Sequence, residues 1–294
     1  MYKNILSFII LLVMIFVIMM YIKKVMLYHP IKENRNKYDR FFHKLMRLAE
    51  PKNIINSMVK TSDNILLDTI YIKNPDATKY ILFFHGGTGN ISMRFDMIKF
   101  LYNYASVIVF DYRSYGRSTG SSNNLSYNYL QRDADAIWNF VTTKLNISPK
   151  DISLFGESIG CSFAIKIASE MSQKMDSNFY PHSLILNSPI YSLSSLVQLN
   201  FNKINIKFVG RIVSIFMNNE YKSNEWIKYV NHKTTIIIAH SPRDEVIPYV
   251  QGVNLYHSIS ETRNKIKFIN INGTHNNLVL SDDYIYTLAG MFQG

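Results

Sequence analysis

GESIG, from Gly156 to Gly160, is a G-x-S-x-G pattern near the middle of the chain. The apolar run Ile152–Phe155 precedes it and predicts a strand, and the residues after it, to about Met171, have the spacing of a helix. In this context the two glycines leave room for a sharp strand-to-helix turn. The turn exposes the hydroxyl of Ser158, and the helix N-terminus favours developing negative charge. The pattern alone is weak, but its context favours a nucleophilic serine.

Similar apolar runs recur along the chain and alternate with longer amphipathic segments. This alternation predicts an α/β fold, with a mostly parallel sheet and helices on both faces. Continuous runs such as ILFF, VIVF and IIIA favour strands buried on both faces. The predicted strands are Ile65–Ile72, Tyr80–Phe84, Ala105–Phe110, Ile152–Phe155, Ser183–Asn187, Thr234–Ala239 and Lys265–Ile271. The predicted helices are Ser92–Tyr104, Ser126–Leu145, Ser158–Met171, Val250–Ser260 and Asn277–Met291.

The alternation breaks down between Pro189 and Lys233, where Asn, Lys and scattered apolar residues follow one another. In an open α/β sheet an insertion at this point lies above the carboxyl ends of the strands, where ligands bind. We predict a small lid over residues 189–233. Its apolar side chains either line a site for an acyl chain or pack the lid, and packing accounts for most of them.

A serine nucleophile needs a base, and the base needs a carboxylate that orients it. Where this turn carries a nucleophile, acid and histidine follow the serine along the chain, each on a loop after a later strand. Asp244 follows the strand Thr234–Ala239 in HSPRDEVIP, and His275 follows the last strand in INGTHNN. We therefore predict Asp244 as the acid and His275, the one histidine beyond the last predicted strand, as the base.

Other reactive side chains near these positions are weaker candidates. Glu245 adjoins Asp244 but projects in a different direction. His240 ends its strand and is expected to be structural or solvent-facing, and Asp111 is expected to tie down its own loop. Cys161 is expected to be a small buried residue where the helix meets the sheet. Because it is the one cysteine of the chain, an intrachain disulfide and a thiolate metal cluster are excluded.

A glycine pair follows the strand Tyr80–Phe84 in HGGT, residues 85–88. A flexible glycine backbone lets an N–H point at the oxygen of a tetrahedral intermediate, and the residue after the nucleophile supplies a second N–H. We predict that the N–H groups of Gly87 and Ile159 form this oxyanion hole. Taken alone, the same glycines also fit an ordinary turn into a helix.

Five stretches form a joint signature: HGGTGNISMR at 85–94, DYRSYGRSTG at 111–120, GESIG at 156–160, DEVIP at 244–248 and GTHN at 273–276. Together they resemble the membrane-anchored branch of the α/β-hydrolase superfamily that contains lysophospholipid and monoacylglycerol lipases and acyl-protein depalmitoylases. The resemblance runs from about Thr61 to the end of the chain. It implies an α/β-hydrolase fold with Ser158 as nucleophile, Asp244 as acid and His275 as base, but it does not specify a substrate.

The sequence departs from the pattern of this branch at three positions. Gly87 stands where asparagine is frequent, Ser114 where glycine is common, and Cys161 where a second glycine usually follows the elbow. None of these differences removes a catalytic group. The last one is expected to affect how the helix packs on the sheet.

An uncharged apolar run of 18 residues, Ile5–Ile22, lies near the N-terminus. As a helix it is about 27 Å long, enough to cross a thin bilayer. Lys23 and Lys24 follow it in place of a small-residue cleavage site, which favours a retained transmembrane helix over a cleaved signal peptide. We predict an anchor at residues 1–22, a basic juxtamembrane segment at 23–60 and a catalytic domain at 61–294.

The chain has 32 Lys or Arg and 21 Asp or Glu, a net charge of +11. Ten basic and three acidic residues lie between Lys23 and Lys60, so this segment carries seven of the net positive charges. Charge beside an apolar helix suits anionic lipid head groups rather than nucleic acid, although a solvated linker is an equal alternative. The same charges favour a cytosolic catalytic domain. Four glycosylation sequons would oppose that orientation if used, at Asn90, Asn124, Asn146 and Asn272.

These observations predict a membrane-anchored serine hydrolase that needs no cofactor. Its predicted partners are the lipid bilayer and an acyl ester or thioester, on a lipid or a lipidated protein, because an anchored domain meets such molecules at high local concentration. A serine peptidase of the same fold is one alternative, although the sequence shows no additional substrate-gating domain. A catalytically silent, membrane-tethered binding protein is another, and the complete Ser-Asp-His set argues against it.

Overall fold

The computed structural model describes residue 21 and residues 24–174, 179–217, 220–262 and 265–293. Its centre is an eight-stranded sheet in the spatial order β8-β7-β6-β5-β3-β4-β2-β1. The strands are β1 (Ile54–Lys60), β2 (Leu66–Ile72), β3 (Tyr80–Phe84), β4 (Ser106–Phe110), β5 (Ile152–Glu157), β6 (Ser183–Asn187), β7 (Thr235–His240) and β8 (Ile266–Asn270). The α-helices among these residues are α1 (Arg35–Leu48), α2 (Phe95–Tyr102), α3 (Tyr127–Asn139), α4 (Ile159–Lys174), α5 (Leu193–Lys203), α6 (Lys207–Phe216), α7 (Ser223–Trp226), α8 (Val250–His257) and α9 (Asp282–Gln293).

Strands β3 to β8 are parallel to one another, and β2 is antiparallel to both β1 and β4. The predicted mostly parallel sheet is therefore confirmed, and all seven predicted strands are present within two residues of their expected ends. The carboxyl ends of β5, β7 and β8 lie at the same edge of the sheet. The loops after these three strands, which carry Ser158, Asp244 and His275, consequently meet there.

The core has one apolar layer on each face of the sheet. Along β3, Leu82 and Phe84 contribute to one layer, whereas Ile81 and Phe83 contribute to the other. Helices α3, α4 and α8 pack on the first layer, and α1, α2 and α9 pack on the second. Both faces of the central strands are thus covered, which is the reason that their sequences are continuous apolar runs.

The segment between residues 35 and 60 folds onto the sheet. Asn34 caps α1 by accepting from the N–H of Lys37, and the helix buries Tyr38, Phe41 and Leu45. Strand β1 follows and pairs along its whole length with β2. It lacks a clear sequence signal because it is an edge strand whose one buried residue is Val59. The domain boundary predicted at residue 61 falls in the turn between these two paired strands.

The last predicted helix, Asn277–Met291, is wrong at its start. Residues Asn277–Val279 pair in antiparallel fashion with Asn272–Thr274, and α9 begins at Asp282. Gly273 allows this short hairpin because its φ of 87° lies in the left-handed region. Residues 189–233, predicted as a lid, contain α5, α6 and α7.

None of the helices in the described part of the chain is long and apolar enough to cross a membrane. The predicted transmembrane segment, residues 5–22, lies outside the described residues, except for Tyr21. Residues Lys24 to Leu27 are helical, and the chain enters the folded domain directly after them, at Tyr28.

Candidate active site

Ser158 occupies the turn between β5 and α4, with a φ of 52° that is strained for a residue other than glycine. Both flanking glycines are required by close backbone contacts. A Cβ on Gly156 would lie 2.5 Å from Cys161 Cα, and a Cβ on Gly160 would overlap the Phe84 carbonyl oxygen. This is the tight strand-to-helix turn that the glycine spacing predicts. It leaves the Ser158 side chain at the wall of a cavity.

The three residues predicted as nucleophile, base and acid lie within hydrogen-bonding distance of one another. His275 Nε2 is 3.1 Å from Ser158 Oγ, and His275 Nδ1 is 2.7 Å from Asp244 Oδ2. Because a carboxylate accepts, Nδ1 is the protonated nitrogen and Nε2 is free to accept the serine proton. The side chain of His275 is 11% exposed and that of Asp244 is fully buried. The arrangement suits general-base activation of a hydroxyl.

The environment of Asp244 keeps its carboxylate charged. Its Oδ1 accepts from the backbone N–H groups of Val246, at 3.0 Å, and Ile247, at 2.8 Å. Burial by itself would raise the pKa of Asp244, but the side chains of His240 and His275 outweigh burial and hold this pKa well below its usual range. The carboxylate therefore remains available to orient His275 throughout the neutral pH range.

Gly87 and Ile159, the predicted oxyanion donors, adjoin the serine. A Cβ on Gly87 would lie 3.1 Å from Ile159 Cδ1, and one on Gly86 would lie 3.4 Å from Ser158 Cβ. Ile159 is the first residue of α4, so its N–H is one of those that have no acceptor within the helix. Both residues also line the cavity beside Ser158.

His85 fixes the peptide unit that carries the Gly87 N–H. Its Nδ1 donates to the carbonyl oxygen of Gly86 at 2.7 Å. Because the peptide is planar and trans, holding this carbonyl also sets the direction of the N–H on its other side. Burial is the main cause that lowers the pKa of His85 to about 3, so the ring is neutral near pH 7.

Residues 79–290 match the family model described as alpha/beta hydrolase fold. The chain belongs to this family. The uncharacterized protein R595 of Acanthamoeba polyphaga mimivirus is 54% identical over 274 residues, 93% of either chain. The lysophosphatidylserine lipase ABHD12 of Gallus gallus is 25% identical over 221 residues, which are 70% of this chain and 54% of that protein. A crystal structure of an alpha-beta hydrolase from Vibrio vulnificus covers 89% of this chain and 95% of its own, with a TM-score of 0.66 and 17% identity. The family predicted from the motifs is confirmed.

The rejected candidates have structural roles in this hydrolase. Glu245 accepts the backbone N–H of His275 at 3.1 Å and does not contact the imidazole ring. His240 is fully buried, so the solvent-facing alternative is wrong; its Nε2 donates to the Ile247 carbonyl at 2.9 Å. The same nitrogen lies 3.5 Å from Asp244 Oδ2. Glu245 and His240 therefore support the loops that hold the predicted base and acid.

Cys161 is buried, as its position after the elbow predicts, and Asp111 is buried too. Asp111 Oδ1 accepts the N–H of Ile91 at 2.9 Å, so it ties down the loop after β3, and its carboxylate also packs against the backbone of Gly116 in its own loop. The thiol of Cys161 donates to the carbonyls of Gly156 and Asn187, at 3.2 and 3.3 Å. Burial raises the pKa of this thiol, which keeps it protonated and unreactive.

A segment that the sequence did not predict at this site also contributes to it. We define this segment, residues 24–33, as the strap. The strap runs along the loop at residues 85–89, where the oxyanion hole is predicted. The N–H of His29 donates to the Gly87 carbonyl at 2.7 Å, and that of Ile31 donates to the Gly89 carbonyl at 3.2 Å. Met26, Leu27 and His29 line the cavity. The one available signal was that apolar residues resume at Val25, directly after the two lysines.

A cavity of about 810 Å³ opens beside Ser158, within the size range of small-molecule sites. Its walls come from the strap, the loop at residues 85–89, α2, α5 and the hairpin after β8. About half of the side chains away from the triad are apolar, including Met97, Phe100, Leu196, Leu278 and Leu280. Among the described residues, no three His, Cys, Asp or Glu side chains are grouped as metal ligands would be.

Proposed function

We propose that this chain is a membrane-anchored serine hydrolase that cleaves acyl esters or thioesters. The observation that carries the proposal is the hydrogen-bonded series Asp244–His275–Ser158 at the wall of a cavity that is lined in part by apolar side chains. The family supports hydrolysis, and the geometry supports a serine nucleophile within that family. The series has the polarity that acyl transfer requires, since a charged acid holds the base and the base accepts from the serine.

In the proposed mechanism, Ser158 Oγ attacks the carbonyl carbon of the substrate while His275 Nε2 takes the hydroxyl proton. Asp244 stabilises the imidazolium that forms. The N–H groups of Gly87 and Ile159 donate to the oxygen of the tetrahedral intermediate. His275 then returns the proton to the leaving alcohol or thiol, and Ser158 is left acylated. Water, activated by the same histidine, releases the carboxylic acid and restores the serine.

The proposed substrate class is an acyl ester or thioester with a fatty chain. The apolar side chains of Met97, Phe100 and Leu196 offer a surface for such a chain next to the nucleophile. The relative from Gallus gallus is named a lysophosphatidylserine lipase, which supports a lipid ester as one member of this class. The Ser158 hydroxyl is 3.1 Å from the histidine, at the wall of this same cavity.

We propose that the chain is held at the membrane by the apolar run Ile5–Ile22, with its catalytic domain on the cytosolic side. The basis is the length of the run, its lack of charge and the two lysines that follow it. The strap begins two residues beyond the run and reaches the cavity within the next few residues. An anchor at this point would place the site close to the bilayer surface.

Labelling with a fluorophosphonate probe tests the nucleophile. Wild-type protein should be labelled, and Ser158→Ala should abolish labelling and hydrolysis of a short acyl ester. Ser188→Ala is the matched control, because Ser188 is the other serine that lines the cavity, and it should keep the label. Labelling of Ser158→Ala equal to wild type would show that the nucleophile is assigned wrongly.

A substrate panel separates the proposed activity from its two alternatives. Folded wild-type protein should hydrolyse long-chain acyl esters or thioesters, and Ser158→Ala should not. Cleavage of peptide amides without cleavage of esters would indicate a peptidase. Folded protein without turnover of any acyl ester would indicate a binding protein.

A further inference from the structure

Three large apolar side chains of helix α6, in the predicted lid, are exposed. Phe208, Ile212 and Ile215 follow one another at helical spacing on one face, and they are 76%, 40% and 72% exposed. The buried face carries smaller groups, including Gly210 and Val213. A helix on the surface of a globular domain normally buries its apolar stripe. Here the stripe faces away from the described part of the domain.

Neighbouring residues extend this surface and give it a charge. Ile204 and Ile206, between α5 and α6, are 65% and 44% exposed. We define the lid apolar face as Ile204, Ile206, Phe208, Ile212 and Ile215. Between Leu193 and Phe216 the chain has three basic residues and no acidic one; the basic ones are Lys203, Lys207 and Arg211, all exposed. Scattered exposed apolar residues are common, but a contiguous basic-rimmed set of this kind is typical of a helix that lies in a membrane interface.

The lid apolar face is joined to the cavity and to the strap. Helix α6 packs closely on α5, since a Cβ on Gly210 would lie 2.6 Å from Phe201 Cβ. Leu196 of α5 is part of the cavity wall. The hydroxyl of Tyr28 in the strap is 2.7 Å from the hydroxyl of Tyr221, which follows α6. The lid therefore contacts the strap, which follows the 18-residue apolar run in the sequence.

We propose that the lid apolar face docks into the lipid bilayer, in the leaflet next to the N-terminal run, so that the cavity takes acyl substrates directly from the membrane. The occupant is lipid because the surface combines apolar side chains with basic ones and lies on the part of the domain that the strap ties to the apolar run. The substrate half of this inference rests on the proposed function. The docking half does not require turnover.

Fluorescence quenching measures the docking with the full chain in phosphatidylcholine vesicles that contain about one-third phosphatidylserine. An environment-sensitive fluorophore on Ile212→Cys should be quenched strongly by a quencher attached to the lipid acyl chains. The matched control is Lys150→Cys, an exposed site just before β5 at the opposite edge of the sheet. Native Cys161 is fully buried and should not react. Equal quenching at both positions overturns the proposal, as does quenching at Ile212→Cys that follows protein concentration rather than lipid quencher, which would indicate a second copy of the chain.

A second experiment tests the link to substrate. The triple variant Phe208→Ser, Ile212→Ser, Ile215→Ser should lose about tenfold or more in kcat/KM on a long-chain ester within vesicles. It should keep wild-type activity on a short, water-soluble ester. The control Ile55→Ser, Met58→Ser removes two other exposed apolar side chains, from edge strand β1, and should change neither rate. Equal losses of the triple variant on both substrates overturn the proposal. Wild-type protein inactive on both would refute the proposed function, and the quenching result would still decide the docking.

Discussion

The carbonyl oxygen of Leu27 occupies the space that a side chain on Gly87 would need, because a Cβ at that position would overlap it. Two residues further along the strap, the N–H of His29 donates a hydrogen bond to the Gly87 carbonyl at 2.7 Å. This bond holds the strap against the loop that contains Gly87. The strap thus packs directly on the predicted oxyanion loop. This contact gives a physical reason for glycine at position 87, where the branch that the sequence resembles frequently has asparagine.

Gly87→Ala should therefore disturb both the fold and the site. We expect a loss of about 1–3 kcal/mol in the free energy of unfolding, as for an overpacked core, together with a lower kcat on a short acyl ester. The matched control is Gly290→Ala in α9, where no heavy atom lies within 4 Å of the added Cβ. That variant should be as stable as wild type or more stable by up to about 1 kcal/mol. Denaturant unfolding in detergent and ester kinetics provide the measurements, and an unchanged Gly87→Ala would contradict the close contact.

Replacing the two neighbouring acids should separate their roles. Asp244→Asn removes the charge that orients the His275 ring at 2.7 Å, so kcat should fall by roughly 10³–10⁴. Glu245→Gln affects an acceptor for the backbone of His275, and kcat should fall by less than about tenfold. Steady-state kinetics on a short acyl ester measure both variants. The reverse order of effects would assign the acid to Glu245.

His85 should make stability depend on pH. Its pKa in the folded protein is about 3, whereas the pKa of a histidine in an unfolded chain is about 6.5. Between these values the unfolded state binds the additional proton, so this contribution to stability is present above about pH 6.5 and is lost as the pH falls. His85→Asn keeps a donor for the Gly86 carbonyl but does not titrate.

Unfolding free energies of both proteins at pH 7 and pH 5 measure this effect. Wild type should lose about 2 kcal/mol more than His85→Asn over that interval. Other groups titrate in both proteins and cancel in the difference. Identical pH dependence of the two proteins would mean that the pKa of His85 is the same in the folded and unfolded states, which contradicts its burial as a neutral ring.

The contact between the strap and the predicted lid, residues 189–233, should appear as a coupling between two tyrosines. Tyr28 and Tyr221 are buried, and their hydroxyl oxygens are 2.7 Å apart. Tyr28→Phe and Tyr221→Phe should each destabilise the protein by about 1–3 kcal/mol, because each leaves one buried hydroxyl unpaired. The double variant should lose less unfolding free energy than the two single variants together. The difference, the coupling energy, should be about 1 kcal/mol in denaturant unfolding. Tyr286→Phe, at a side chain that is 75% exposed, is the control and should have little effect. Strictly additive losses would exclude the bond.

The parts of the fold that follow from local sequence were predicted well. The strands β3 to β7 contain more consecutive apolar residues than an exposed or half-exposed strand would. Their burial could therefore be predicted from the sequence. Strand β1 was missed because it is an edge strand with one buried residue, Val59, and its stability comes from pairing with β2. The start of the last helix was misplaced because Asn277–Val279 pairs with Asn272–Thr274, a tertiary preference that residue composition does not reveal.

The residues that are candidates for chemistry can be identified from local sequence alone. Gly156 and Gly160 specify the turn at Ser158, and the order of strands places Asp244 and His275 at the same sheet edge, since the signals for strand and turn are local. The surroundings of these residues depend on long-range contacts, which the local signals do not contain. The contact of Leu27 with Gly87 joins residues sixty positions apart, and the outward direction of the apolar stripe on α6 depends on which face packs against α5. Periodicity reveals that a helix has an apolar face, but the direction of that face is set by the contacts of the whole fold.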